Sequence, residues 1–447
     1  MCTLVRSRAM AAVLLAGLVA GEAAAAQVKL NVGLGTPFLL GGKKQTTFLK
    51  VGLTGFAFRD TKRTPVNVAI VVDKSGSMGG EKIARAREAA ILAVGKLGLD
   101  DIVSVVAYDS TVHVLVPATK AGDRTSIYAG IERLQAGGST ALFAGVSRGA
   151  AEVRKFLDRK RVNRVILLSD GLANVGPSSP AELGALGASL IKQGISVTTI
   201  GLGLRYNEDL MTRLAQRSDG NHYFAENATD LARLFKGEFG DVLSVVAQEV
   251  AVKIRCAPGI RPIRVLGREA DIDGQTVLAT LNQLYSGQEK YLMLEVEVPA
   301  TASGRSREVA TVSVSYANMA TLTTDRLASS VSVRFSGNAE VVEKEKNPDV
   351  MVPAAELVAT HRNEMAVALR DKGKIEEARK LLQDNVAFLN EKAKRYRSER
   401  LKVYAGQNGA DSRNLEGANW QKQRKVMKDW QHYNRYQRAV APKGSKQ

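Results

Sequence analysis

Disulfide chemistry is almost absent from this chain. Its 447 residues include two cysteines, Cys2 and Cys256. Cys2 lies in the N-terminal segment read below as a leader, so Cys256 is left alone, and one thiol closes no internal disulfide. Histidine is equally scarce. His113, His222, His361 and His432 are the only four, and none lies in a motif that would build a Ser-His-Asp triad. Aromatic residues make up 5% of the chain, but apolar residues reach 45%, enough for globular cores rather than disorder. After the N-terminus no stretch approaches the ~20 apolar residues of a membrane helix.

Acidic residues are also in the minority, 45 against 63 Lys and Arg, for a formal charge of +18. Such a balance favours anionic surfaces such as lipid headgroups, acidic polymers or nucleic acid, without choosing among them. The first 26 residues read as a secretory signal. Arg6 and Arg8 precede the short apolar run Met10–Ala20, and Ala24-Ala25-Ala26 gives a small-residue cleavage site before Gln27. The expectation is a secreted or periplasmic protein with no transmembrane segment in the mature chain. For such a protein nucleic acid is a poor candidate partner.

The length argues for two or three domains. Residues 27–62 contain short alternating stretches, VKLNVGL and TTFLKVGLTGFAF, read as two antiparallel strands. Residues 63–242 alternate apolar strands of about six residues with helical stretches of 10–15, the beat of a doubly wound, mostly parallel sheet. Residues 243–338 change to period-two runs such as EVAVKIRC and YLMLEVEV, an antiparallel β domain that the N-terminal strands would complete. The α/β unit would then be an insertion between its halves. Residues 339–353 read as a charged linker. Residues 354–447 read as a basic helical region, with a hairpin over Ala354–Arg370 and Ile375–Tyr396 and a terminal helix beyond. In that region Arg395, Arg397, Arg400, Lys422, Arg424, Lys425 and Lys428 are interleaved with Trp420, Trp430, Tyr433 and Tyr436. This pattern suits an anionic envelope surface, or else a solvated face with buried aromatics.

The chain is organised around VNVAIVVDKSGSMG, residues 66–79. Its apolar run suits a central strand covered on both faces, and its loop falls at the carboxyl edge, where open α/β sheets bind ligands. A second buried strand, RVILLS, ends at Asp170-Gly171. Parallel strands end at one edge, so Asp73 and Asp170 converge there. Ser75, Ser77 and the loop Gly137-Gly138-Ser139-Thr140 bring hydroxyls. Hard oxygen donors without thiol or imidazole suit Mg²⁺, Mn²⁺ or Ca²⁺ and are poor for zinc. So few charged ligands leave a position for an outside carboxylate.

Asp73-Lys74-Ser75-Gly76-Ser77 resembles the Asp-x-Ser-x-Ser motif of von Willebrand factor type A domains. Thr140 and Asp170 match the second and third parts of that family's metal-ion-dependent adhesion site, in the family's order. The resemblance covers about Val66–Asp241. The flanking β segments are similar to those of bacterial exported members and of inter-alpha-trypsin inhibitor heavy chains. It implies a divalent cation, Mg²⁺ first, held by Asp73, Ser75, Ser77, Thr140 and Asp170, and a protein partner supplying an Asp or Glu. The function it implies is non-enzymatic adhesion or protein–protein interaction. Two alternatives stay open: an internal scaffold with a purely structural metal site, and a metal-assisted hydrolase. Asp73 as a phosphoryl acceptor would favour a second carboxylate two residues on, where Ser75 stands.

Overall fold

A computed structural model of the chain describes residues 27–57 and 63–443. The expected signal segment, residues 1–26, lies outside the described residues. Three N-terminal strands come first: β1 (Lys29–Leu34), β2 (Phe38–Leu40) and β3 (Gln45–Thr54). The α/β unit follows, with β4 (Val66–Asp73), α1 (Glu81–Val94), β5 (Ile102–Tyr108), β6 (Val112–Lys120), α2 (Arg124–Glu132), α3 (Leu142–Arg154) and β7 (Val162–Ser169). It closes with α4 (Pro180–Ile191), β8 (Ile195–Leu202), α5 (Glu208–Arg217), β9 (His222–Ala225) and α6 (Leu231–Val242).

The sheet order is β6-β5-β4-β7-β8-β9. Every pair is parallel except β5–β6, a hairpin at one edge. β4 is buried along its whole length, and its side chains divide by parity, as a pleated strand requires. Val66, Val68, Ile70 and Val72 face one core with α1 and α6, where they meet Ile83, Ala86, Leu231 and Phe235. Ala69 and Val71 face a second core with Val146 and Ala150 of α3 and Leu214 of α5. Covering both faces is what permits so continuous an apolar run.

The second half of the β domain comprises β10 (Val245–Cys256), β11 (Arg261–Leu266), β12 (Asp271–Asp273), β13 (Thr276–Tyr285), β14 (Glu289–Val298), β15 (Ser306–Asn318) and β16 (Thr323–Ser336). Two sheets form, β1-β3-β14-β11 and β12-β13-β10-β15-β16-β2. They share a core that includes Leu49, Val51, Ile254, Leu281, Leu294 and Val312. β3 pairs with β14 from Thr54↔Glu289 to Gln45↔Val298. The α/β unit is therefore inserted between halves of one β sandwich, as the alternating N-terminal stretches implied.

The two bodies are joined by a buried polar cluster. Arg164 of β7 is fully buried and donates to Thr198 Oγ1 (3.0 Å), Glu238 Oε1 (2.6 Å) and Tyr285 OH (3.1 Å), and also to Gln283 Oε1. Glu238 is on α6, and Gln283 and Tyr285 are on β13, so one guanidinium spans both bodies.

The C-terminal region corrects two expectations. The segment read as a linker, residues 339–353, contains helix α7 (Ala339–Lys344) and the first turns of α8 (Pro348–Asp371). Pro348 does not end a linker. It occupies the first turn of α8, where a missing N–H is harmless, behind Asn347, whose side chain accepts from Asp349 N. After α9 (Ile375–Tyr396) come two helices rather than one, α10 (Glu399–Arg413) and α11 (Asn419–Tyr436). A buried amide ladder fixes the bundle's register: Asn363 Nδ2 donates to Asn408 Oδ1 (2.9 Å) and Asp411 Oδ2 (2.8 Å), and Gln431 Nε2 to Asn363 Oδ1 (2.8 Å).

The interleaved cations of α11 are answered largely within the fold. Lys422 pairs with Glu226, Arg424 with Glu208, Asp209 and Asp371, Lys425 with Glu208, and Lys428 with Asp209. Trp420, Trp430 and Tyr436 are buried. These ion pairs hold α11 against the α/β unit and α8, while Trp420 and Trp430 pack inside the helical bundle.

Candidate functional site

β4 and β7 are neighbours and parallel, so Asp73 and Asp170 arrive at the same rim. Asp73 ends β4. Its Oδ1 accepts from Ser75 N at 2.8 Å, turning the chain back over the strand end, and its Oδ2 accepts from Ser169 Oγ at 2.6 Å. The 137–140 loop is stitched to the serine loop by Gly137 N to Lys74 O (2.7 Å) and Gly76 N to Gly138 O (3.0 Å). Gly138, at φ 78°, supplies a left-handed turn that other residues adopt at a cost. Thr140 N donates to Asn174 Oδ1 at 2.8 Å, which fixes the threonine against the loop that follows Asp170.

All five residues meet. Ser75 Oγ and Ser77 Oγ are 3.1 Å apart, and Ser77 Oγ donates to Asp170 Oδ1 at 2.6 Å. The remaining atoms are located by the space over Gly171. A methyl carbon placed on its Cα would stand 3.1 Å from Thr140 Oγ1, 3.5 Å from Ser77 Oγ and 3.8 Å from Asp73 Oδ2. Glycine keeps that cradle open. The duller roles for these hydroxyls are not taken up. Helix α3 is capped at Ala141 without a side-chain bond, α1 at Gly80, and Ser75 makes no side-chain cap to the short 3₁₀ turn Gly76–Met78.

The donors fit a hard divalent cation: they are all oxygen, two of them carboxylates, converging on one point. Burial pushes the Asp73 carboxyl above the usual carboxylate range, against hydrogen bonds from Ser169 and Ser75, and the neighbouring Asp170 pushes it the same way. Two crowded, buried carboxylates call for positive charge.

One such charge escaped the sequence reading. Lys82, near the start of α1, places its ammonium on Asp170 Oδ2 and donates to Ser77 O at 3.2 Å. In sequence it looks like any exposed helix lysine. Lys74, the cation inside the motif itself, instead pairs with Asp109.

The cradle opens into a cavity of about 830 Å³. The serine and threonine loops form one wall. The β8–α5 loop and residues of α8 and α11, among them Arg370, Gln421 and Arg424, form another. The helical region thus borders the same cavity as the rim of the sheet, a relation with no trace in the sequence.

A doubly wound sheet carrying an Asp-x-Ser-x-Ser loop, a threonine loop and an Asp just after β7 at one rim defines the von Willebrand factor type A class. Residues 67–237 match the von Willebrand factor type A domain family, so this chain carries a von Willebrand factor type A domain. The chain is 27% identical over 229 residues to the uncharacterized protein YfbK of Escherichia coli (strain K12), a match spanning 51% of this chain and 40% of that protein. The E3 ubiquitin-protein ligase WAV3 of Arabidopsis thaliana is 26% identical over 256 residues, 54% of this chain and 32% of the ligase. The inter-alpha-trypsin inhibitor heavy chain H3 of Rattus norvegicus is 25% identical over 210 residues, 44% of this chain and 23% of the heavy chain. Among solved structures, a von Willebrand factor type A protein from Catenulispora acidiphila superposes with TM-score 0.68 at 16% identity, covering 92% of this chain and 97% of that one. Domains of this family mediate protein–protein interaction, and no helix of the described residues is long and apolar enough to cross a membrane.

Proposed function

We propose that this is an exported, non-enzymatic binding protein whose von Willebrand factor type A domain captures a partner protein through a divalent cation. Asp73, Ser75, Ser77, Thr140 and Asp170 would hold the ion, Mg²⁺ first, with Mn²⁺ or Ca²⁺ as substitutes. An Asp or Glu of the partner would complete its coordination. The observation carrying this reading is the gathering of five oxygen-bearing side chains from three separated loops: Thr140, Ser77 and Asp73 surround the space over Gly171, and Ser75 and Asp170 join them through Ser77. The bound ion supplies a Lewis-acidic anchor for a carboxylate. The chain's own residues orient the donors and hold the rim rigid through the backbone bonds between the 73–80 and 137–140 loops.

Binding is favoured over hydrolysis by the surroundings. His222 and His432 are buried together away from the rim, His113 bonds Thr111, and His361 lies beside Glu364. None is among the residues bordering the cavity.

The test is partner capture from the native envelope in Mg²⁺ and in EDTA. Capture by the wild type is expected to be lost in EDTA, and lost in the double variant Asp73→Ala with Thr140→Ala while its circular dichroism stays that of the wild type. If the variant captures the same proteins in EDTA, the reading is wrong. If it unfolds, the ion is a structural element of a scaffold.

Lys82 gives a second, independent result. Its ammonium holds the carboxylate that a metal would need, so Lys82→Met is expected to raise Mg²⁺ affinity by roughly tenfold in calorimetry, the scale set by one competing charge at a shielded site. Unchanged or weaker affinity would mean that the lysine helps to build the site.

A further inference from the structure

The cavity at the rim carries more than the oxygen cradle. Four cationic side chains border it, Arg205, Arg370, Arg424 and Lys425, against the carboxylates of Glu208 and Asp371. Arg424 and Lys425 are engaged: Arg424 with Glu208, Asp209 and Asp371, Lys425 with Glu208. The other two are not. Arg205 is exposed in the turn between β8 and α5 and has no carboxylate partner among the described residues. Arg370 is aimed without being neutralised. Its Nε donates to Leu415 O at 3.0 Å and its guanidinium lies over the Trp420 ring at 4.5 Å, leaving its terminal amino groups without a carboxylate among the described residues. A guanidinium held flat in this way is ready for two-point pairing with a carboxylate. Two leucines border the same cavity with unusual exposure, Leu172 at 59% and Leu204 at 37%.

We propose that Arg205 and Arg370 are anion anchors of the same binding cavity, so that its occupant is an acidic peptide segment bearing several carboxylates rather than a lone Asp or Glu. One carboxylate goes to the cradle, others pair with the two guanidiniums, and apolar atoms of the segment rest on Leu172 and Leu204. The helical region then forms part of the recognition surface through Arg370, and the pairs made by Arg424 and Lys425 keep that wall in place. This inference rests on the cradle reading for the first carboxylate only; the anchors act by charge and geometry of their own.

The experiment uses the full chain and two probes, an octa-aspartate peptide and a Gly-Ser octapeptide with one central Asp. Each is titrated calorimetrically in excess Mg²⁺ and in EDTA. In Mg²⁺ the octa-aspartate is expected to bind at least about tenfold more tightly than the single-Asp peptide. Arg205→Ala and Arg370→Ala should each remove much of that advantage and weaken single-Asp binding far less. Arg205 lies in an exposed turn, so its variant keeps the test valid even if loss of Arg370 loosens the packing on Trp420. Lys394→Ala, an exposed cation on α9, controls for general attraction to a basic chain and should change nothing.

Octa-aspartate binding that is Mg²⁺-dependent but identical in wild type and both arginine variants overturns the anchors and leaves the cradle reading standing. Binding that is indifferent to Mg²⁺ yet falls in Arg205→Ala supports the anchors and removes the cradle reading. Equal loss in Lys394→Ala, or no octa-aspartate binding at all, overturns the inference.

Discussion

Arg164→Met should lower the stability of the protein by about 3–5 kcal/mol, the range for removing one member of a buried ion pair. Arg164 and Glu238 are both wholly shielded from water, and their contact is 2.6 Å. Burial alone would push the guanidinium down in basicity; Tyr285, Glu238 and Asp241 overcome it and raise it above its ordinary value. In the variant, Glu238 keeps its hydrogen bonds from Thr198 (2.6 Å), Asn221 (2.8 Å) and Tyr223 (3.1 Å). It loses the only cation paired with it among the described residues, and an uncompensated buried carboxylate is the costly species. Gln283 and Tyr285 lose their donor as well, so the α/β unit should also loosen from the β sandwich. Urea unfolding followed by both fluorescence and circular dichroism checks this: a lower midpoint, with the two probes separating where the wild type gives one transition. Arg164→Met with Glu238→Gln should recover a large part of the loss, because the orphaned charge goes with its partner. A single variant within 1 kcal/mol of wild type would contradict the assigned role.

The second large effect is a response to acid. His432 of α11 is fully buried, its ring stacked on Tyr436 at 4.5 Å, and both ring nitrogens lack a hydrogen-bond partner among the described residues. His222 of β9 stands edge-on to it at 6.1 Å and bonds Thr199 at 2.8 Å through Nδ1. Burial, reinforced by Arg438, Lys425 and Lys428, pushes His222 down to about 3. Burial, with His222, Arg438, Lys290 and Arg435 around it, pushes His432 well below its ordinary value. Both rings are therefore neutral in the folded protein, while in the unfolded chain they gain protons below about pH 6.5. The unfolded state then binds more protons, so the stability present above that pH is lost as the pH falls, by about 1.4 kcal/mol per unit for each ring. Asp241, pushed up to about 7, and Asp411, pushed up to about 6, act in the opposite sense. The comparison of His432→Phe with wild type cancels their contribution. The variant should gain on the wild type by about 2.3 kcal/mol between pH 6.5 and 4.5, since the unfolded ring is already half protonated at the upper limit. A pH-independent difference would mean that His432 is charged within the fold.

The parts of this protein legible in the sequence are those whose signal is local. An apolar run covered on both faces announces a central parallel strand, so β4 and β7 and their terminal aspartates were visible, as were Ser75, Ser77 and Thr140 beside them. The five gather as the spacing implied. The insertion was visible because period-two runs lie on both sides of the α/β beat. Strand direction was not: β6 alternates like any short strand, and only its hairpin return makes it antiparallel. Lys82 reads as a surface lysine because its partner, Asp170, is distant in sequence and supplied by another strand. The same holds for Arg424 and Lys425, whose charges looked unanswered until the fold brought Glu208 and Asp209 against them. Arg205 and Arg370 carry no sequence signal at all; their significance lies in what the fold fails to place beside them.

The interrupted sandwich also dictates an order of assembly. β3 ends at Thr54, and its far neighbour β14 begins only at Glu289. A chain emerging from its N-terminus delivers β1 to β3 as an incomplete ribbon, with Leu49, Val51 and Leu53 still lacking the apolar layer that covers them in the finished fold. All six strands of the inserted sheet lie between Val66 and Ala225, so that unit can condense while its host waits. The host closes last, across a long loop that the insert has already shortened by folding. Until then an open strand edge is the part of the young chain most prone to wrong pairings.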